Sequence, residues 1–183
     1  MARGADLGPS ERRSLADGLA TLDSEADLVI VDVGAGIGSA TRTLMHAADL
    51  PLIVATPEPA SIADAYGLLK SLRMDGLDSQ SVPHLVLNQV GSTVERDTVH
   101  ARLNAVSRRF LKVDLPLAGS VSWDRDALVA ARVRTPILAL TGKSSSRKDL
   151  LDLAQFVMLR VDLASDEPAK PARRWWPGAR RTD

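Results

Sequence analysis

The 183-residue chain contains no cysteine. That excludes disulfides, thiolate metal sites and thiol nucleophiles. Aromatic residues are scarce, with three Trp, one Tyr and two Phe. No apolar run approaches the roughly 20 residues that a membrane-spanning helix needs. Net charge is also missing, because 23 basic residues balance 23 acidic ones. No global field draws the chain to nucleic acid, and no specific nucleic-acid partner is expected. The opening, MARGADLGPS, has no apolar centre and does not read as a signal peptide. A cytoplasmic protein is the expectation. The three histidines, His46, His84 and His100, are scattered without metal-ligand spacing and read as surface or packing residues.

What is present is an ordinary globular composition, 45% apolar and 25% charged, in a length that suits one domain with a sizeable core. The expected domain covers residues 1–163. Residues 164–183 differ in kind. From Pro168 the chain reads PAKPARRWWPGARRTD, which gathers Arg173, Arg174, Trp175 and Trp176 among prolines. This composition predicts a flexible basic tail.

Within the domain, apolar periodicity predicts helices over 10–22, 40–48, 60–73, 94–112, 123–132 and 144–161. In the helix over 94–112, Val99, Leu103, Val106 and Phe110 share the face expected to point inward. Runs with almost no polar alternation predict strands buried on both faces over 27–32, 51–55, 83–88 and 115–121. An extended segment is expected over 135–140. Strands alternating with helices predict an α/β fold with a parallel sheet flanked by helices. Ligands in such sheets bind beyond the carboxyl ends of the strands. Asp32, Thr56 to Glu58, Asn88 and Ser122 to Asp124 all fall at such ends.

The stretch VIVDVGAGIG places Asp32 at a strand end and then Gly34, Gly36 and Gly38 at alternate positions. Three readings follow from the residues. Asp32 can order the water shell of Mg²⁺ while Gly34 and Gly36 let backbone N–H groups approach a γ-phosphate. Alternatively, the loop can admit S-adenosylmethionine, with Glu58 near the ribose. The third reading is a tight strand-to-helix turn with no ligand. A second glycine motif, Gly142-Lys143-Ser144, is not a phosphate loop, because the glycine required five positions before Gly142 is Ile137. Ser144 to Ser146 suit a helix N-cap instead.

The longer stretch DLVIVDVGAGIGSATRTLMHAADLPLIVATPEPASIADAYGLLKSL resembles the MinD/ParA-type P-loop ATPases, and within them the flagellar-number (FlhG/FleN) branch. The shared motifs are Asp32 to Ile37, Ala47 to Asp49 and Thr56 to Tyr66. HLVLNQV and RRFLKVDLPLAGSVSWDRDALVAARVRTPIL follow in the same order. The resemblance implies a Rossmann-like, P-loop NTPase-type fold and ATP with Mg²⁺ as cofactors. It implies that Asp32 holds Mg²⁺ through water, that Gly34 and Gly36 face the γ-phosphate, and that Asn88 reads the adenine edge. Asp124 falls in the loop that closes on the base, where Trp123 stands in place of the family's proline.

The resemblance also implies a homodimer, flagellar or division proteins as partners, and a peripheral position at the inner face of an anionic membrane through Arg173, Arg174, Trp175 and Trp176. The family's phosphate loop and its lysines lie well ahead of the Asp. Here 31 residues precede Asp32, and neither they nor the rest contain that loop. The expectation is the C-terminal part of such a domain, a shortened reading frame or a degenerate relative, with a sheet incomplete at its N-terminus. Without those charges the chain alone is not expected to hydrolyse ATP. A non-catalytic interaction domain and a methyltransferase are the alternative functions.

Overall fold

The computed structural model describes residues 10, 14, 17–19, 21–22, 25–77, 81–140 and 144–161. The expected tail at 164–183, with Arg173, Arg174, Trp175 and Trp176, lies outside the described residues.

The described residues between 10 and 25 are helical. Helix α1 is Ser39–Ala47, strand β1 Leu52–Ala55 and helix α2 Pro59–Met74. Strand β2 is His84–Val90, helix α3 Thr93–Leu111 and strand β3 Leu117–Ser122. Helix α4 is Arg125–Arg132, a single 3₁₀ turn covers Ile137–Ala139, and helix α5 is Ser145–Arg160. The three strands form one parallel sheet in the order β1-β2-β3. This is the parallel α/β fold that the alternating apolar runs predict.

The middle strand shows why its sequence lacks alternation. Leu85, Val86 and Leu87 are consecutive and all buried. Leu85 and Leu87 join a cluster with Leu69 and Leu72 of α2 and Leu103 of α3. Val86 pairs with Gly119 of β3, and a Cβ at Gly119 would lie 3.6 Å from Leu153 of α5. Paired residues in a parallel ladder share a face, so β2 has helices on both sides. His84, with the same parity as Val86, stacks 5.4 Å from the Phe156 ring of α5.

Local chemistry sets the helix ends. Pro59 opens α2, where its missing N–H costs nothing. Ser92 accepts from the Glu95 N–H at 3.1 Å, and Glu95 reaches back to the Gly91 N–H at 2.7 Å, a reciprocal cap for α3. Lys112 ends α3 in the left-handed region at φ 57°. Ser144 caps α5 by accepting from the Arg147 N–H at 3.3 Å, the role that TGKSSS suggests in the sequence.

Three expectations need correction. Residues 27–32 form no strand: they hold a bend at Asp27, pair with nothing described, and leave Ile30 83% exposed. A strand exists through its ladder, and the outer edge of β1 has no strand partner among the described residues. Residues 135–140 contain the 3₁₀ turn instead of an extended run. The inward face of α3 is also rotated. Leu103 and Ser107 are buried, whereas Val106 and Phe110 are exposed, Phe110 beneath the Arg109 guanidinium at 5.2 Å.

Candidate functional site

The parallel register brings three chain segments to one rim. Thr56 follows the last residue of β1. Asn88 pairs with Val121, and Val90 with Ser122, at the carboxyl ends of β2 and β3. The Trp123 N–H donates to the Val90 carbonyl at 2.9 Å, tying the next loop to the same rim. Thr56, Asn88, Trp123 and Asp124 therefore stand at one end of adjacent strands, where α/β sheets bind ligands.

Asn88 sits at a register shift, and the next residue, Gln89, has φ 59°. The Asn88 Oδ1 accepts from the Gln89 N–H at 2.9 Å, so the side chain closes the irregularity itself. Its amide NH₂ has no partner among the described residues. At Thr56 the N–H donates to Ser61 Oγ at 2.9 Å, while the buried Thr56 Oγ1 finds no partner among the described residues.

Asp124 is heavily committed. Its Oδ1 accepts from the Asp126 N–H at 2.9 Å, capping α4. Its Oδ2 accepts from the Ser144 hydroxyl, from the Ser146 hydroxyl at 3.0 Å and from the Ser146 N–H at 3.3 Å. These donors, led by Ser144 and the Asp126 N–H, hold its carboxyl down at about 2. Beside it, Asp149 accepts from the Ser122 N–H at 2.8 Å and from the Ser122 hydroxyl at 2.6 Å. The two carboxylates thus fasten the start of α5 to the end of β3.

The glycine loop is built differently. The Asp32 carboxylate accepts from the Gly34 N–H at 3.3 Å. Gly34 and Gly36 have φ of 62° and 129°, values that only glycine adopts freely. Arg42 then grips the loop: its guanidinium donates to the Ile37 carbonyl and to Asp75 at the C-cap of α2. Sequence reasoning missed Arg42, since nothing local couples it to a partner 33 residues away. Asp32 itself lies on the unpaired segment, outside the β1-β2-β3 register that unites the other three.

Among the described residues no group of three His, Asp or Glu side chains could hold a metal by itself. A lone carboxylate is what Mg²⁺ asks of the protein where phosphate oxygens and waters fill its other positions, and the exposed Asp32 fits that donor role. No helix among the described residues is long and apolar enough to cross a membrane.

An open parallel sheet with helices on both sides and polar residues on its carboxyl rim is the Rossmann-like fold of MinD-type P-loop NTPases. The MinD cell division protein of Aquifex aeolicus has this fold, with a TM-score of 0.58 and 21% identity, over 87% of this chain and 63% of that one. No family model matches the chain. It is 28% identical over 151 residues to the antiactivator FleN of Pseudomonas aeruginosa, a match that covers 82% of this chain and 53% of FleN. It is 37% identical over 87 residues to the flagellum site-determining protein YlxH of Helicobacter pylori, covering 46% of this chain and 28% of YlxH. The chain shares the fold of MinD-type proteins, and its sequence is similar to FleN and YlxH. It spans about half the length of FleN.

Proposed function

We propose that this chain is the base-binding and switch part of a FlhG/MinD-like positioning ATPase that acts on flagella or division. The observation that carries the reading is the shared rim of Thr56, Asn88 and Asp124, in a chain similar to the antiactivator FleN and to a flagellum site-determining protein. In this reading Asn88 offers its unpartnered amide to an adenine acceptor. Asp32 orders Mg²⁺-bound water, and Gly34 and Gly36 admit the γ-phosphate to backbone N–H groups. The Asp124 carboxylate is already saturated by Ser144, Ser146 and Asp126, so it holds the base-facing loop in place instead of accepting from the base. Bound Mg²⁺-ATP would bring the charge that phosphoryl transfer turns on. The positioned lysines that stabilise that charge are not among these residues.

The test is phosphate release with Mg²⁺-ATP, together with calorimetric titration. The chain is expected to release no phosphate above buffer and to bind ATP weakly, with the binding lost in Asn88→Ala. Turnover at the rate of an intact family member, abolished by Asp32→Ala, would refute this division of labour. Micromolar binding of S-adenosylmethionine, lost in Gly36→Val, would replace the reading with the methyltransferase.

The tail sequence supports a second element of the same reading, peripheral contact with an anionic membrane. Trp175 and Trp176 suit the headgroup interface, and each nearby arginine is worth about 1 kcal/mol at such a surface. Co-sedimentation with anionic vesicles is expected to be strong for the full chain and to fall for a chain ending at Pro171. Equal pelleting of the two, or equal pelleting with neutral vesicles, would remove membrane contact from the proposal.

A further inference from the structure

Helix α4 is amphipathic the wrong way round. A surface helix ordinarily turns its apolar stripe to the core. The buried residue of α4 is Ala130, while Leu128 is 54% and Val129 42% exposed. Arg125, Leu128, Val129 and Arg132 stand at i, i+3, i+4 and i+7, one continuous outward stripe over two turns. Val133, 55% exposed, stands four residues after Val129 and extends this surface past the end of the helix. Arg125, Arg132 and Arg134 are exposed, and none of them forms an ion pair among the described residues. In a chain with no net charge, this is a local patch of apolar side chains and unpaired guanidiniums.

We propose that the outward face of α4, with Val133, is the docking surface for a helix of a partner protein that carries carboxylates among its apolar residues. Two features choose this occupant. The stripe is a straight ridge of helical period, which fits the groove of a second helix. The charge is complementary only to acids, and its placement selects protein over lipid. On the helical wheel Arg125 and Arg132 fall between Leu128 and Val129, not on the opposite side. A bilayer-seated helix keeps its cations on the polar face, and sinking Leu128 and Val129 into hydrocarbon would draw both guanidiniums with them. A protein groove meets each arginine with a bidentate carboxylate and each apolar side chain with another. The proposal uses none of Asp32, Thr56, Asn88 and Asp124, so its test is independent of any nucleotide result.

A photoreactive phenylalanine analogue at position 128 of the full chain, expressed in its native cells, tests the proposal. The same analogue at the exposed position 152 is the control. The expected result is an adduct at 128 and not at 152. Its cross-linked peptide, sequenced by mass spectrometry, should be a helical segment with Asp or Glu among Leu, Ile or Val. The combined substitutions Arg125→Glu and Arg132→Glu should reduce the yield about tenfold or more, because like charges then face each other. Changing the partner's acids to lysine should restore it. Circular dichroism of the double variant should be unchanged, since both positions are exposed. An adduct with lipid, a cross-linked peptide without acids, a yield that charge reversal leaves unchanged, or no adduct above the control would each overturn the proposal.

Discussion

Leu87→Ala is expected to destabilise the chain by about 2–5 kcal/mol, enough to consume a large share of a typical domain's stability. Leu87 is fully buried on β2, the only described strand with a neighbour on each side, where it faces Ala55 of β1 and Ser120 of β3. It shares a cluster with Leu69, Leu72, Leu103 and Leu115, drawn from two helices and the segment leading into β3. Truncation leaves a hole lined by three elements that hold one another in place, so the site cannot collapse to fill it. Urea unfolding followed by far-ultraviolet circular dichroism gives the difference. Val54→Ala is the control, because Val54 lies on the outer strand and is exposed; its cost should be a few tenths of a kcal/mol. Equal losses in the two variants would mean that β2 is not the centre of the fold.

Asp124→Asn is expected to loosen the junction of β3, α4 and α5 together. The carboxylate collects four donors from Asp126, Ser144 and Ser146. An amide has one acceptor oxygen and cannot take them all. Amide exchange at Asp126, Ser146 and Arg147 should rise roughly fivefold or more, the scale a weakened N-cap implies. The same carboxyl gives a pH signature. Its pKa in the folded chain, about 2, lies below the ordinary carboxylate value, so the ionised form favours the folded state. That stabilisation is complete above about pH 4 and disappears as the pH falls through about 2. Denaturant midpoints measured from pH 5 to pH 2 should therefore fall more steeply for the native chain than for Asp124→Asn. Parallel curves would show that the charge contributes nothing at this junction.

His84 works in the same direction at higher pH. Burial, and then the nearby Arg160, lower its pKa, so the folded chain favours the neutral ring. A backbone hydrogen bond with Val82 opposes this, but burial is the larger effect.

The three described strands were legible as strands because their runs, PLIVA, HLVLN and LPLAGSV, are apolar without alternation, but the expected burial on both faces holds for β2 and not for β1, where Val54 is exposed. Residues 27–32 carry the same pattern and still form no strand. Composition reports that a segment is able to pair, whereas pairing depends on a neighbour that composition does not describe. The α3 face was misjudged because Val106 and Phe110 are as apolar as Leu103. The helix instead turns Ser107 inward, with its hydroxyl buried and unbonded among the described residues. At the rim, Asn88 and Asp124 could be picked out by their positions at strand ends. The commitment of Asp124 to Ser144 and Ser146 could not, because those residues come 20 and 22 positions later and meet it only when α5 packs on β3. Arg42 was invisible for the same reason.

The strand order carries a last consequence, for how the chain is made. In many parallel sheets a later strand must slide between two that already stand. Here order along the chain and order in space agree, β1 then β2 then β3. Each newly translated strand and helix can therefore add to a finished edge as it leaves the ribosome, with no earlier pair to open. The growing end of the described sheet is β3, so a nascent chain that has emerged from the ribosome only as far as Pro116 would display β2 with its buried leucines on a bare edge. A nascent chain emerged only that far should recruit chaperones far more strongly than one emerged through Ser122.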